Sequence, residues 1–201
     1  MANSITQGFG LIPLGTLGSS YSNQGQSKYV VEAAYSDSDL FQGCTVRVVA
    51  GYIEQASLTR TLTCLGVFNG IFYNASTTLK PTWANWYNQP ITPANSEDLT
   101  AFVIDDPTQL FVVSTDGAIA QAGYGKTYGL TVTAAGSETS GQSSSTLTVG
   151  TVSVTANQWR LLRTAEDSEN NDITTTNCSV IVCQNLCQFL QNTGTAGITW
   201  Q

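Results

Sequence analysis

Two adjacent carboxylates, Asp105 and Asp106, are the first residues of this chain whose types could do chemistry. Paired carboxylates act as acid–base catalysts or metal ligands when they converge on one point. Neighbouring residues of a strand point to opposite faces, so these two converge only where the chain turns. Pro107 follows directly, and Asp before Pro is typical of a turn. The sequence therefore predicts a turn cap here, whose carboxylates would meet a Lys or Arg of a neighbouring subunit in an assembly.

Three further motifs imitate known sites, and each lacks a part that the chemistry requires. Residues 120–127 end in Gly-Lys-Thr like a phosphate-binding loop, but a strand-like run follows where that site needs a helix. Residues 167–172 place oxygens at alternate positions, as calcium loops do, but Asp172 and Cys178 occupy the places of the required Gly and the last acidic ligand. Residues 141–145 lack the final Gly of a nucleophile elbow. We therefore expect no catalytic residue, no metal site and no cofactor.

Glu97 and Asp98 lie beside a tryptophan-containing loop, in an arrangement that resembles the carboxylate pair of a sugar-cleaving enzyme. The sequence does not define the distance between the two side chains. A glycosidase therefore stays open as a hypothesis. It requires that the protein cleaves a saccharide and that Glu97→Gln abolishes this activity.

Charge and composition exclude several classes of function. The chain has 201 residues, a formal net charge of −7, seven scattered Lys and Arg residues and no histidine. Nucleic-acid binding needs a clustered positive surface, and binding to acidic membranes needs one too, so we expect neither partner. No run approaches the roughly 18 apolar residues of a membrane span. The first residues lack the pattern of a signal peptide, so we expect the chain to be made in a cytosol and not to be secreted.

The five cysteines show no zinc-binding spacing. Because the expected compartment is reducing, we predict free thiols that pack as small apolar side chains.

Composition and strand spacing predict an all-β fold. Charged residues make up only 10% of the chain, and Ser, Thr, Asn, Gln and Gly supply most of the polarity, which suits strands and turns better than long helices. We predict a single antiparallel β-sandwich or barrel-like domain over residues 28–201, preceded by an extended N-terminal arm over residues 1–27. The predicted strands cover residues 29–35, 45–52, 56–65, 65–73, 100–104, 109–114, 127–134, 146–156, 159–164 and 178–185.

The N-terminal arm carries one apolar patch, formed by Phe9, Leu11, Ile12 and Leu14. In an assembled protein, this patch would anchor the arm on a neighbouring subunit. A disordered tail is the alternative that composition alone leaves open.

The region 64–117 organises the rest of the chain. Two predicted strands flank a loop that carries Trp83, Trp86 and Tyr87, and a third strand follows the turn at Asp105 and Asp106. We expect an antiparallel meander in which Asp-Gly at residues 116–117 closes a hairpin. The aromatic residues of the loop either form a partner surface or cover an open end of the domain, and both readings remain open.

Short motifs of this region, with weaker ones on either side, cover about residues 29–147. They resemble a family of small head proteins of tailed bacteriophages, common in marine phages. The matching residues are Gly66-Val67-Phe68, Gly70, Tyr73, Trp83, Trp86, Ala101, Val103, Asp105-Asp106-Pro107, Phe111 and Asp116-Gly117, with Tyr29, Phe41-Gln42-Gly43, Gly141-Gln142-Ser143 and Leu147 outside the core.

The resemblance implies a capsid decoration, or cement, protein rather than an enzyme. Such a protein binds the major capsid protein on the outer surface of the mature head and stabilises contacts between capsomers, commonly as a homotrimer. The alternative from a different class is a receptor- or carbohydrate-binding module of a phage fibre or head appendage, with sugars stacked on exposed tryptophans.

Overall fold

The computed structural model of the chain describes residues 3–18, 25–33, 35–56, 63–131, 136–154 and 156–190. Within these ranges the chain forms strands joined by turns, with two short 3₁₀ helices at Ala94–Ser96 and Gln121–Gly123. The strands are β1 (Ile12–Thr16), β2 (Gln26–Val31), β3 (Thr45–Val49), β4 (Tyr52–Gln55), β5 (Gly66–Asn74), β6 (Pro81–Ala84), β7 (Leu99–Ile104), β8 (Gln109–Ser114), β9 (Thr127–Leu130), β10 (Leu147–Ser153), β11 (Trp159–Thr164) and β12 (Ser179–Gln184).

These strands form two antiparallel sheets packed together, which confirms the predicted all-β sandwich. Sheet A has the order β1-β8-β12-β11-β9-β10. Sheet B has the order β2-β7-β5-β3-β4, and β6 pairs with the second half of β5. Neither 3₁₀ helix of the described chain is long or apolar enough to cross a membrane.

Alternation of side chains explains why these segments bury one face. In β7, Leu99, Ala101 and Val103 are buried while Thr100 and Phe102 lie on the other side. The inward residues of sheet B form one core cluster with loop residues such as Leu40 and Tyr87. The inward residues of sheet A form a second cluster, which includes Phe111, Val113, Trp159, Leu161, Val180 and Val182.

The predicted meander is confirmed for its first two strands, because β5 and β7 pair antiparallel, but it is wrong for the third, because the Asp105-Asp106 turn carries the chain to the other sheet. The strand β7 before the turn pairs with β2 and β5, whereas β8 after the turn pairs with β1 and β12. Both edges of β7 are occupied, so the next strand has no place beside it. The same reason excludes a hairpin at residues 116–117: β8 already has two neighbours, and the Asp116 carboxylate instead accepts a hydrogen bond from Val149 N.

The extended N-terminal arm is not confirmed. Residues 3–18 pack on the domain itself: β1 lies along β8, and Leu11 is buried in the core cluster of sheet A. The Asn3 side chain donates hydrogen bonds to the loop at residues 172–176. Burial of Leu11 and pairing of the β8 edge favour this docked arrangement over a free arm. The predicted boundary between residues 27 and 28 falls inside β2.

Two other segments differ from their predictions. Pro81–Ala84, expected as part of a loop, is the strand β6. The Ser-rich segment at residues 136–145, whose low-complexity composition predicts a mobile surface loop, is bound to the domain, because Ser143 N donates to Gln42 O and Gly141 O accepts from Gln42 N. Most of the strand predicted at residues 56–65 lies outside the described residues.

Candidate binding surfaces

An aromatic platform, formed by Phe72, Trp83 and Phe102, lies on the outer face of sheet B. Phe72 on β5 and Trp83 on β6 are directly paired and are 40% and 51% exposed. The Trp83 and Phe102 rings meet with centroids 5.0 Å apart and planes inclined by 59°. Offset or tilted aromatic pairs of this kind are favourable and hold both rings in defined positions.

Gly70 allows the indole of Trp83 to reach Phe102. Gly70 pairs with Phe102 across the sheet, and the benzene half of the indole lies over it. A Cβ built on Gly70 would approach Trp83 Cη2 to 2.8 Å, closer than side chains tolerate. The absence of a side chain at residue 70 therefore leaves the space that the Trp83 indole occupies.

Polar and charged side chains border the platform. Lys28 on β2 pairs with Phe102, and its Nζ lies 5.9 Å from the centre of that ring. Thr100 pairs with Phe72 on one side and with Val30 on the other, so this hydroxyl-bearing residue lies between the platform and Val30. Asn74, the last residue of β5, donates through its amide to Glu97 at 3.4 Å. The surface thus combines aromatic carbon with hydroxyl, amide and ammonium groups.

A second apolar surface, the N-terminal groove, lies on the outer side of sheet A and has a volume of about 490 Å³. Ile12 on β1, Val112 on β8 and Ile181 on β12 lie in register across its floor. Phe9 and Leu14 line the groove as well, while Arg163, Glu166 and Asp167 bring charges to it. Three of the four predicted N-terminal anchor residues therefore share one surface, and the fourth, Leu11, belongs to the core.

Trp86 and Tyr87 do not belong to the aromatic platform. The Trp86 ring stacks on Phe41 with centroids 5.3 Å apart and planes inclined by 3°. Tyr87 is fully buried, and its hydroxyl donates to Tyr35 O at 2.6 Å. Of the three predicted loop aromatics, Trp83 is exposed, Trp86 is half-buried and Tyr87 is fully buried.

Sequence reasoning missed Phe72 and Phe102, although a signal for Phe102 was present. Strand alternation puts Phe102 on the face opposite to Ala101 and Val103, and only one of these faces can be the buried one. The decisive information was that Trp83 lies on a paired strand of the same sheet, and this pairing was not predicted.

Asp105 and Asp106 have separate partners and do not converge as a catalytic pair. The Tyr29 hydroxyl donates to Asp105 Oδ2 at 2.6 Å. Burial, and secondarily the Asp105 carboxylate, raise the pKa of Tyr29 above its ordinary value. Asp106 Oδ1 accepts from Thr108 N at 2.8 Å and Thr108 Oγ1 at 2.7 Å, so this residue is the predicted turn cap. A contact with a neighbouring subunit stays a prediction for both.

The other motifs have structural roles in the described chain. Residues 120–127 run through a 3₁₀ turn directly into β9. In the acidic loop, the Asn170 amide donates to Asp167 Oδ2 at 2.7 Å and its oxygen accepts from Ile5 N at 2.8 Å. No group of three or more His, Cys, Asp or Glu residues within the described ranges could hold a metal ion.

All five cysteines are buried and free, which confirms the predicted packing role. Burial raises the pKa of the Cys44 and Cys64 thiols to about 12, and that of Cys178 to about 11. Since the thiolate is the reactive form, these side chains are unsuited to nucleophilic chemistry near neutral pH.

No protein-family model, no curated protein and no solved structure matches this chain.

Proposed function

We propose that this chain is a structural virion protein, a capsid decoration protein that binds the outer surface of the mature phage head as a homotrimer. The observation that carries the proposal is the N-terminal groove beside the edge strand β1. Among the described strands, β1 pairs only with β8, so it forms an edge of sheet A. Such an edge next to an apolar groove suits an added strand, whose side chains would fill the groove.

The motif residues that resemble the phage head proteins also support the proposal. Gly70 and Trp83 build the aromatic platform, and Asp106 caps the turn that links the two sheets. Phe111 belongs to the core of sheet A. These residues serve a rigid β framework with exposed apolar surfaces rather than a reaction centre.

Decoration would stabilise the head by mass action. A protein that binds only the expanded lattice of the major capsid protein lowers the free energy of that lattice by its binding free energy. Binding at sites shared by neighbouring capsomers would oppose their separation under internal DNA pressure. The net charge of −7 fits a position on the outer surface, away from the packaged DNA.

Co-sedimentation with phage heads that lack this protein tests the proposal. We expect saturable binding to expanded heads and none to unexpanded procapsids. The double variant Ile12→Ser and Leu14→Ser should weaken binding about tenfold or more, equivalent to about 1.4 kcal/mol, because both side chains border the groove.

Val154→Ser is the matched control, since Val154 is an exposed apolar residue outside the groove. It should bind as the unaltered chain does. Failure of the unaltered chain to bind expanded heads would overturn the decoration role. Full binding by the double variant would overturn the role of the groove.

A further inference from the structure

We propose that the aromatic platform on sheet B is a saccharide-binding site, in which a pyranose ring stacks on Trp83. The site is separate from the N-terminal groove, which lies on sheet A. The inference therefore does not depend on the decoration role. It identifies the residues and the ligand class for a surface formed by β2, β5, β6 and β7.

The first argument is the state of the Trp83 side chain. About half of its surface is exposed, although the indole is held between Gly70 and Phe102. An indole that is fixed before binding loses little conformational freedom when a ligand arrives. The C–H groups of one face of a pyranose ring pack on such a surface, while the ring hydroxyls point outward to polar groups.

The second argument is the chemistry of the border. Thr100 offers a hydroxyl, Asn74 an amide and Lys28 an ammonium group next to the platform. Within the described residues Lys28 forms no ion pair, and its ammonium group lies over the Phe102 ring. Ligand sites typically combine apolar surface with a few such polar groups that orient the ligand.

The third argument is the shape and size of the surface. Phe72 and Phe102 lie on neighbouring strands, and Trp83 lies on the next one, so the platform crosses about two strand spacings, or roughly 10 Å. This span suits a short oligosaccharide. A stable protein partner would need a wider apolar centre than this span offers.

Binding of defined oligosaccharides to the full chain tests the inference. The probes are cellohexaose, chitohexaose and an alginate oligosaccharide, which represent neutral, N-acetylated and acidic chains. We expect at least one to bind saturably at up to millimolar concentration, with quenching or a shift of tryptophan fluorescence. Isothermal titration provides a second readout that does not depend on the indole.

Two variants and a control examine the platform. Trp83→Ala should weaken binding of that probe at least tenfold, because the stacking surface is lost. Gly70→Ala should weaken it as well, since the new Cβ displaces the indole while Trp83 is retained. Phe189→Ala removes an exposed aromatic residue elsewhere and should leave binding unchanged.

Absence of binding by all three probes would overturn the inference, and so would binding that survives Trp83→Ala. If Trp83→Ala instead abolishes binding to phage heads, the platform is a protein interface and the inference is wrong. The proposed function is judged separately, by the groove variants.

Discussion

Single residues determine what the surface of this protein presents. Gly70 lets the Trp83 indole lie across β5 and touch Phe102, whereas Trp86, three residues later in the chain, is covered by Phe41. Gly136 packs against the same Phe41 ring, since a Cβ on Gly136 would collide with Phe41 Cγ, Cδ1 and Cδ2. Two tryptophans of one short segment thus differ in exposure because of their neighbours: Trp83 is exposed and Trp86 is half-buried.

Because the thiols are buried, we expect the free energy of unfolding to decrease at alkaline pH. Burial raises the pKa of Cys44 and Cys64 from 9.0 to about 12. Between these values the unfolded chain loses thiol protons that the folded chain retains, so the unfolded state is favoured as the pH rises. The stability that these thiols contribute is complete below pH 9 and declines toward pH 12.

Urea unfolding at a series of pH values measures this effect. We expect the free energy of unfolding to fall from about pH 9 upward, and the fall to be shallower in Cys44→Ala, which removes one of the groups whose pKa burial raises. An equally steep fall in the variant would show that other groups cause it.

At the scale of elements, free strand edges decide the topology. The turn at Asp105 and Asp106 resembles a hairpin in sequence, yet β8 joins sheet A because β2 and β5 already flank β7. The free edge of β8 is in turn covered by β1 from the N-terminal segment. This segment is therefore part of the domain, and its removal would expose the edge of β8 and the core cluster of sheet A around Leu11.

The position of the N-terminal segment predicts a large loss of stability when Leu11 is truncated and a small one when Leu14 is truncated. Leu11 is 2% exposed and Leu14 is 49% exposed. Leu11→Ala should lower the free energy of unfolding by about 2–5 kcal/mol, because it leaves a cavity in the core of sheet A. Leu14→Ala should change it by no more than about 0.5 kcal/mol.

Chemical denaturation of both variants provides the measurement. Similar small effects for the two would contradict the docked position of the segment. The capsid-binding assay should reverse this order, since Leu14 and not Leu11 lines the N-terminal groove.

At the scale of the whole molecule, two strands tie the core clusters together. In β5, Val67 belongs to the cluster of sheet A, while Phe68 and Ile71 belong to that of sheet B. In β7, Ile104 belongs to the cluster of sheet A and Val103 to that of sheet B. Neither cluster can lose its packing without disturbing strands that the other needs.

We therefore expect the described domain to unfold in one cooperative transition. Tryptophan fluorescence and far-ultraviolet circular dichroism should give the same urea midpoint. Val113→Ala, in the cluster of sheet A, and Phe68→Leu, in that of sheet B, should each shift both signals together. Separate midpoints for the two signals would show that the sheets unfold independently.

The sequence alone was sufficient for features that depend on local pattern. The β class follows from strand-forming runs and turn residues, and the bounds of β8 and β11 agree with the runs at residues 109–114 and 159–164. The turn cap at Asp106 follows from the conformational limits that Pro107 imposes. These properties arise within a few residues, so neighbouring sequence contains the information.

The tertiary structure alone decided which strands pair, where the N-terminal segment lies and which aromatic rings reach the surface. Strand alternation defines two faces of a strand but does not say which neighbour each edge will take. That choice is a competition between segments far apart in the chain, such as β1 and β7 for the edge of β8. Trp83 is exposed and Trp86 is half-buried for the same reason, because their aromatic neighbours come from β7 in one case and from Phe41 in the other.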